Sequence, residues 1–208
     1  MNKISEALKT LKGPETEIIG VGRNDLPGFF KEQGYRTGVE IGVAKGNYSE
    51  ILSEVGLKIY GVDPYIEYPD YSRPQIQRRL DAEFAEAKER LSRFPDYTFV
   101  RKTSMEAVKD FEDESLDFVY IDGHHSFKFV VEDIYEWSKK VRKGGCISGH
   151  DYVYSAVTQG PYVCHVKYVL PAYTRAFGID NWYILGRGHF PKDPNETRDR
   201  WRSWMFIK

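Results

Sequence analysis

The stretch VEIGVAKGNYS, residues 39–49, decides the fold of this chain. A short apolar run leads into a turn with two glycines, and a helical pattern opens directly after it. Glu40, Gly42 and Gly46 form the pattern E-x-G-x-A-x-G, in which glycine lets the backbone pass close to a ligand. This spacing differs from the G-x-G-x-x-G of dinucleotide binders, where the helix N-terminus takes a pyrophosphate. The stretch predicts strand, turn and helix, with either a bound ligand or a plain structural connection at the turn.

The next apolar run, KIYGVD, ends in a carboxylate. Asp63 lies roughly 20 residues beyond the glycine turn, the interval at which a carboxylate accepts hydrogen bonds from both hydroxyls of a ribose. A nucleoside without a pyrophosphate would satisfy both this carboxylate and the glycine spacing. We therefore expect a nucleoside-like ligand at the end of the first two strands.

Strand and helix patterns alternate along most of the remaining chain. After KIYGVD come a helical segment over residues 74–94, the strand YTFVRKT, the helix SMEAVKDF, the strand LDFVYID, an amphipathic helix and the strand GGCISGHD. Parallel strands need a crossover between them, so the alternation predicts an α/β fold with ligands beyond the carboxyl ends of the strands. Two last strand patterns, NWYILG and SWMFIK, flank a polar loop over residues 187–200 whose reach favours antiparallel pairing.

Composition limits the class of protein and its partners. The 208 residues carry a net charge of -1 and are 41% hydrophobic, which suits one domain with a buried core and offers no positive field for nucleic acid. No apolar run approaches a membrane span, and the opening MNKISEALKTLKG lacks the apolar core of a signal peptide. Cys146 and Cys164 suit a reducing compartment. We expect a cytoplasmic protein with a small-molecule partner, no nucleic acid and no membrane, and leave a homo-oligomer open.

Two later strand patterns end in titratable residues. YIDGHHSF places Asp122 and His125 after one strand, and CISGHDY places His150 and Asp151 after the next. Adjacent parallel strands end at the same edge of a sheet, so His150 and Asp151 are expected to approach Asp122. Such a group can hold a metal ion, move a proton, or serve structure alone.

Five motifs, in this order, carry a resemblance to a known family: VEIGVAKGNYS, GVDPY, TSMEA, DFVYIDGHHSF and VRKGGCISGHDY. They span about residues 38–152, and through them the sequence resembles the class I S-adenosylmethionine-dependent methyltransferases, especially the small branch of macrocin-type sugar O-methyltransferases. The resemblance implies a Rossmann-like α/β fold: a seven-stranded, mainly parallel sheet with an antiparallel last strand and helices on both faces. The methyltransferase domain would cover residues 37–208, with residues 1–36 as a helical segment packed on it.

The resemblance also implies a set of cofactor-binding residues. Glu40, Gly42 and Gly46 would frame the methionine part of S-adenosylmethionine, Asp63 would hold the ribose, Ser104 and Met105 would meet the adenine edge, and Asp122 would lie beside the sulfonium methyl group. Ala44 stands where many members of the family have glycine. The turn is therefore expected to differ slightly from theirs.

A second implication concerns the reacting centre. In metal-dependent O-methyltransferases an Asp after the fourth strand of the family's sheet and an Asp-Asp or Asp-Asn pair after the fifth hold a divalent ion. The matching residues here are Asp122, His150 and Asp151. His150 occupies the first place of the pair, and histidine ligates manganese, iron or zinc more readily than magnesium. Without a metal, His125 or His150 is the candidate base beside Asp122, because imidazole can accept a proton at neutral pH.

The expected activity is transfer of the sulfonium methyl group to a hydroxyl oxygen of a sugar or natural product. A nitrogen acceptor is an alternative, although Asp122 is followed by Gly-His rather than by the Pro-Pro-aromatic motif of base-modifying enzymes. The second alternative is a cofactor-binding protein without transferase activity. Five tyrosines are candidates for lining the acceptor pocket or for loop packing: Tyr65, Tyr68, Tyr71, Tyr152 and Tyr154.

Overall fold

The computed structural model describes residues 1–68, 76–153, 163–186 and 201–208. Within these residues the α-helices are α1 Lys3–Thr10, α2 Leu26–Glu32, α3 Asn47–Glu54, α4 Gln77–Leu91, α5 Ser104–Ala107, α6 Phe127–Lys140 and α7 Val166–Ala176. The strands are β1 Thr16–Ile18, β2 Thr37–Ile41, β3 Lys58–Val62, β4 Tyr97–Val100, β5 Leu116–Ile121, β6 Val141–Gly149, β7 Trp182–Leu185 and β8 Ser203–Ile207. Short 3-10 helices cover Arg23–Asp25 and Val108–Asp110.

The strands form one mixed sheet in the order β1-β7-β8-β6-β5-β2-β3-β4. β8 runs antiparallel to both of its neighbours, β6 and β7, and every other pair is parallel. The Rossmann-like α/β architecture, the mainly parallel sheet and the antiparallel last strand are therefore confirmed. The insertion of SWMFIK beside NWYILG is confirmed as well, since Met205 pairs with Tyr183.

The expected count of seven strands is wrong, because the described residues alone form a sheet of eight. The additional strand is β1, which lies in the N-terminal segment that we expected to be helical and pairs parallel to β7 through Glu17 and Ile184. A strand of three residues is too short to show an alternating pattern in the sequence. β1 forms because its backbone pairs with the edge of β7 and because Ile18 is buried there. A domain boundary at residue 36 remains a prediction.

Both faces of the sheet are covered, as parallel sheets require. Along β5, Val119 and Ile121 belong to one hydrophobic cluster, whereas Phe118 and Tyr120 belong to another on the opposite face. The N-terminal helices α1 and α2 contribute to the second cluster through Ile4, Leu26, Phe29 and Phe30. None of the helices in the described ranges is both long and apolar enough to cross a membrane.

The register of the central strands aligns their carboxyl ends. Ile41 of β2 pairs with Val62 of β3 and with Ile121 of β5, and Ile121 pairs with Gly149 of β6. The residues that follow these strand ends therefore leave the sheet at one edge. This edge is where parallel α/β sheets bind ligands.

Candidate active site

A cavity of about 330 Å³ opens at the carboxyl ends of β2, β3 and β5. Its size lies within the range of small-molecule sites. Five of the predicted cofactor-binding residues line it: Gly42, Asp63, Ser104, Met105 and Asp122. Glu40 and Gly46 are not among its lining residues in the described part of the chain.

The glycine turn needs glycine for two different reasons. At Gly42, φ is +89° and a Cβ atom would lie 2.1 Å from the carbonyl oxygen of Asp122, so a side chain there would collide with the backbone that follows β5. At Gly46, φ is +75° and a Cβ atom would lie 2.9 Å from Leu91 Cδ1 on α4. Gly42 thus shapes the cavity, whereas Gly46 allows the start of α3 to pack on α4.

Glu40 lies beneath the turn and is almost completely buried. Its carboxyl group accepts a hydrogen bond from the hydroxyl of Ser49 on α3. Burial raises the pKa of Glu40 to about 8, although the hydrogen bond from Ser49 opposes this shift. The contact with Ser49 joins β2 to α3, so the structure places Glu40 as a support for the turn, and its contact with the methionine part remains a prediction.

Asp63 connects the end of β3 to the same turn. Its Oδ2 accepts hydrogen bonds from the amides of Val43 and Ala44, at 3.0 and 3.1 Å, and its Oδ1 accepts one from the amide of Tyr65 at 2.9 Å. Burial raises the pKa of Asp63, and the three amides oppose that shift. A carboxylate offers about four lone-pair sites, so these bonds orient it toward the cavity and leave capacity for a further donor.

Ser104 and Met105 lie at the opposite end of the cavity, where α5 begins. Ser104 Oγ accepts a hydrogen bond from Trp137 Nε1 at 2.8 Å and donates one to Asp133 Oδ1. We did not predict a role for Asp133 from the sequence. The sequence does contain an indication of such a role. Asp133 lies on the apolar face of α6, between Val130 and Trp137, and a carboxylate is rarely buried on such a face unless a partner binds it.

The two strand ends meet beside the cavity. His125 Nε2 lies 2.5 Å from Asp151 Oδ2 and 3.5 Å from Asp122 Oδ1. His150 Nδ1 lies 3.5 Å from Asp151 Oδ1 and 3.7 Å from Asp122 Oδ1. All four residues expected at the reacting centre are therefore brought together.

The imidazoles and carboxylates of this group shift one another's pKa values. Burial disfavours the charged form of His125, but the carboxylates of Asp151 and Asp122 outweigh burial and raise its pKa to about 10. Burial also disfavours ionised Asp151, but the neighbouring imidazoles, His125 foremost, hold its pKa well below the usual range. The two carboxylates thus favour the protonated form of His125, and an imidazole is a base only in its neutral form.

The donor set at the two strand ends fits a divalent ion. One ligand atom each from Asp122, His125 and Asp151 lies within 4.8 Å of the others. This trio contains His125 where the expected set has His150, since the ring of His125 reaches both carboxylates from the loop after β5. The expected set with His150 remains a prediction. Two carboxylates with an imidazole suit manganese, iron or zinc better than magnesium.

Arg23 is a second residue that we did not predict. Arg23 Nη1 lies 3.5 Å from Asp122 Oδ2. The guanidinium lies 5.3 Å from the centre of the Tyr48 ring, and the Tyr48 hydroxyl donates to the carbonyl of Arg23 at 2.9 Å. The N-terminal segment thereby reaches the edge of the candidate site.

The predicted acceptor tyrosines have different environments. Tyr65 and Tyr68 line the cavity, and the Tyr65 hydroxyl donates to the carbonyl of Ala44 in the glycine turn. Tyr152 is buried and donates to Glu15. Tyr71 and Tyr154 lie outside the described residues.

Comparison with known proteins agrees with this geometry. The family model described as "Methyltransferase domain" matches residues 39–152, more than half of the chain, so the chain belongs to this family. Fold and family define a class I S-adenosylmethionine-dependent methyltransferase. Among curated proteins, none matches the sequence.

Solved structures share the fold at low sequence identity. An O-methyltransferase from Bacillus cereus with bound SAH has a TM-score of 0.59 at 15% identity and aligns over 89% of this chain and 80% of its own. TomG, the O-methyltransferase of tomaymycin synthesis from Streptomyces achromogenes, solved with SAM, has a TM-score of 0.55 at 13% identity over 89% and 78%. An rRNA methylase from Streptococcus thermophilus has a TM-score of 0.56 at 14% identity over 88% and 93%.

Proposed function

We propose that this methyltransferase transfers the methyl group to a hydroxyl oxygen of a small molecule of the sugar or natural-product type, as the macrocin-type branch does. The observation that carries the proposal is the group formed by Asp122, His125, His150 and Asp151 beside the cavity. A hydroxyl group is a weak nucleophile until a base or a metal ion activates it. The imidazoles of this group could serve as a base, and its carboxylates and imidazoles could bind a metal ion. O-methyltransferases also occur among the structures with this fold.

The cofactor would occupy the cavity with its ribose at Asp63 and its adenine at Ser104 and Met105. When bound, it supplies the electrophilic sulfonium methyl group. The turn at Gly42 leaves room for the methionine part, and Asp122 marks the end of β5 where methyl group and acceptor would meet. Alignment of the two reacting groups is the main contribution of such a site and can lower the barrier by several kcal/mol.

Activation of the acceptor would fall to the residues at the two strand ends. Asp122, His125 and Asp151 would hold a divalent ion, which orients a hydroxyl group and lowers its pKa. His150 is the second imidazole at this centre and the candidate base, because His125 is engaged by Asp151.

The test is methyl transfer from methyl-labelled S-adenosylmethionine to matched panels of hydroxyl and amine acceptors, followed by mass spectrometry of the product. We expect labelled methyl ethers from sugar or phenolic hydroxyl groups. Transfer to amines alone would show that the enzyme methylates nitrogen, and would refute the proposed oxygen acceptor. Cofactor binding without transfer to any acceptor would favour a cofactor-binding protein without transferase activity.

A further inference from the structure

The buried carboxylate of Asp133 is an unusual feature of the candidate cofactor cavity. Asp133 is only 3% exposed and yet lines the cavity. One oxygen, Oδ1, accepts the hydrogen bond from Ser104, while the other, Oδ2, lies toward the loop after β5, 3.9 Å from where a Cβ atom of Gly123 would stand. A buried carboxylate is costly unless hydrogen-bond donors meet it, so the free capacity of this oxygen points to a donor.

The hydrogen bonds around Ser104 run in one direction. Indole nitrogen can only donate, so Trp137 gives its proton to Ser104, and Ser104 gives its single hydroxyl proton to Asp133. When Asp133 is ionised, both oxygens that remain at this end of the cavity can only accept. A ligand group that meets them must bring protons.

We propose that Asp133 is a specificity-determining residue that accepts a hydrogen bond from the exocyclic amino group of the cofactor's adenine and so selects adenine over a purine with a carbonyl there. This inference rests on the proposed placement of the adenine at Ser104 and Met105. An amino group supplies the protons that Asp133 and Ser104 lack. A carbonyl oxygen at the same position would face two acceptors in a buried site, and such a mismatch is among the strongest sources of discrimination in binding.

The test compares two ligands that differ at this one position. S-adenosylhomocysteine carries the amino group, and S-inosylhomocysteine carries a carbonyl instead. Affinities for both are measured by calorimetry at pH 8, because burial raises the pKa of Asp133 to about 7 and the carboxylate is ionised above that value. The proteins are wild type, Asp133→Asn, and the control Glu136→Gln, which removes a carboxylate of the same helix that pairs with Lys139.

We expect wild type and Glu136→Gln to prefer the adenine ligand by about 100-fold or more. In Asp133→Asn the preference should shrink to about fivefold or less, because the amide can turn its NH₂ group toward the carbonyl oxygen. A purely structural role for Asp133 would weaken both ligands alike and leave the ratio unchanged, which would overturn the inference. Should Asp133→Asn not fold, equal affinity of wild type for the two ligands is the overturning result.

The two proposals fail in different ways. Wild type that binds neither ligand would remove the cofactor site and this inference together. Wild type that binds both ligands equally would leave the cofactor site in place and remove only the role of Asp133.

Discussion

His125 and Asp151 meet at 2.5 Å although they follow different strands of the sheet, β5 and β6. The parallel register of these strands places their carboxyl ends side by side, and the positive φ of Asp151, +60°, turns the chain at the end of β6. Asp122 and His150 complete the group at 3.5 to 3.7 Å. An imidazole between two carboxylates is therefore built into the edge of the sheet that carries the candidate cofactor cavity.

Metal binding is the first consequence to test. After treatment with chelator and its removal, we expect wild type to bind one Mn²⁺ ion per chain by calorimetry. The affinity should rise with pH, because the ion displaces the proton that Asp151 and Asp122 hold on His125.

A matched pair of variants locates the ion. Asp151→Asn should weaken Mn²⁺ binding by at least about tenfold, since it removes a charged ligand. Asp113→Asn changes a carboxylate on the surface and should bind as wild type does. If no protein binds the ion, the metal site is refuted, and His150 would have to activate the acceptor without a metal ion.

Asp63 should control cofactor affinity. Asp63→Ala should weaken binding of S-adenosylhomocysteine by at least about tenfold, or roughly 1.4 kcal/mol, since the ribose hydroxyls and the amides of Val43 and Ala44 lose their acceptor. Glu83→Gln removes another carboxylate of the same cavity and serves as the control, with a change of less than about threefold expected. Unchanged affinity in folded Asp63→Ala would refute the assignment.

Glu40 should make stability depend on pH. Its pKa is raised from 4.5 to about 8 in the folded protein, so between these values the native state binds more protons than the unfolded chain. The contribution of Glu40 to the free energy of unfolding is thus fully present at pH 4.5 and falls as the pH rises toward 8. In Glu40→Gln this fall should be absent. The free energy of unfolding of both proteins is measured with denaturant, without ligand, at pH 5 and pH 8. The same difference in this free energy between wild type and Glu40→Gln at both pH values would disprove the raised pKa of Glu40.

The last strand should be essential for stability. Trp204 is 1% exposed, packs against Phe206 and donates its indole hydrogen bond to the carbonyl of His150. Trp204→Ala should therefore lower the free energy of unfolding by about 3–5 kcal/mol. Ile207→Ala, at the more exposed end of β8, should cost less than half as much. Equal, small losses in both variants would show that β8 contributes little to the core.

Much of the fold could be predicted because its signals are local. The glycine turn after β2 and the apolar runs that end in Asp63 and Asp122 report strand ends directly, and parallel topology then brings those ends to one edge. β1 could not be predicted, since its three residues gain their structure from β7, far away in the sequence.

The sequence was enough to predict most residues of the candidate site, but not which of their side chains contact one another. Convergence of Asp122 with His150 and Asp151 followed from adjacent strands, whereas the closer approach of His125 depends on the path of the loop after β5. Arg23 and Asp133 reach the site from elements that carry no recognisable motif. Such long-range side-chain pairs depend on packing, which local pattern does not encode.

The central claim is that the cavity at the ends of β2, β3 and β5 holds S-adenosylmethionine beside the group of Asp122, His125 and Asp151. A crystal structure of the protein with S-adenosylhomocysteine tests it most directly. The account predicts density for the ligand with its ribose hydroxyls at the carboxylate of Asp63, its adenine at Ser104 and its sulfur near Asp122. Ligand density at any other place, or an empty cavity in crystals grown with saturating ligand, would contradict it.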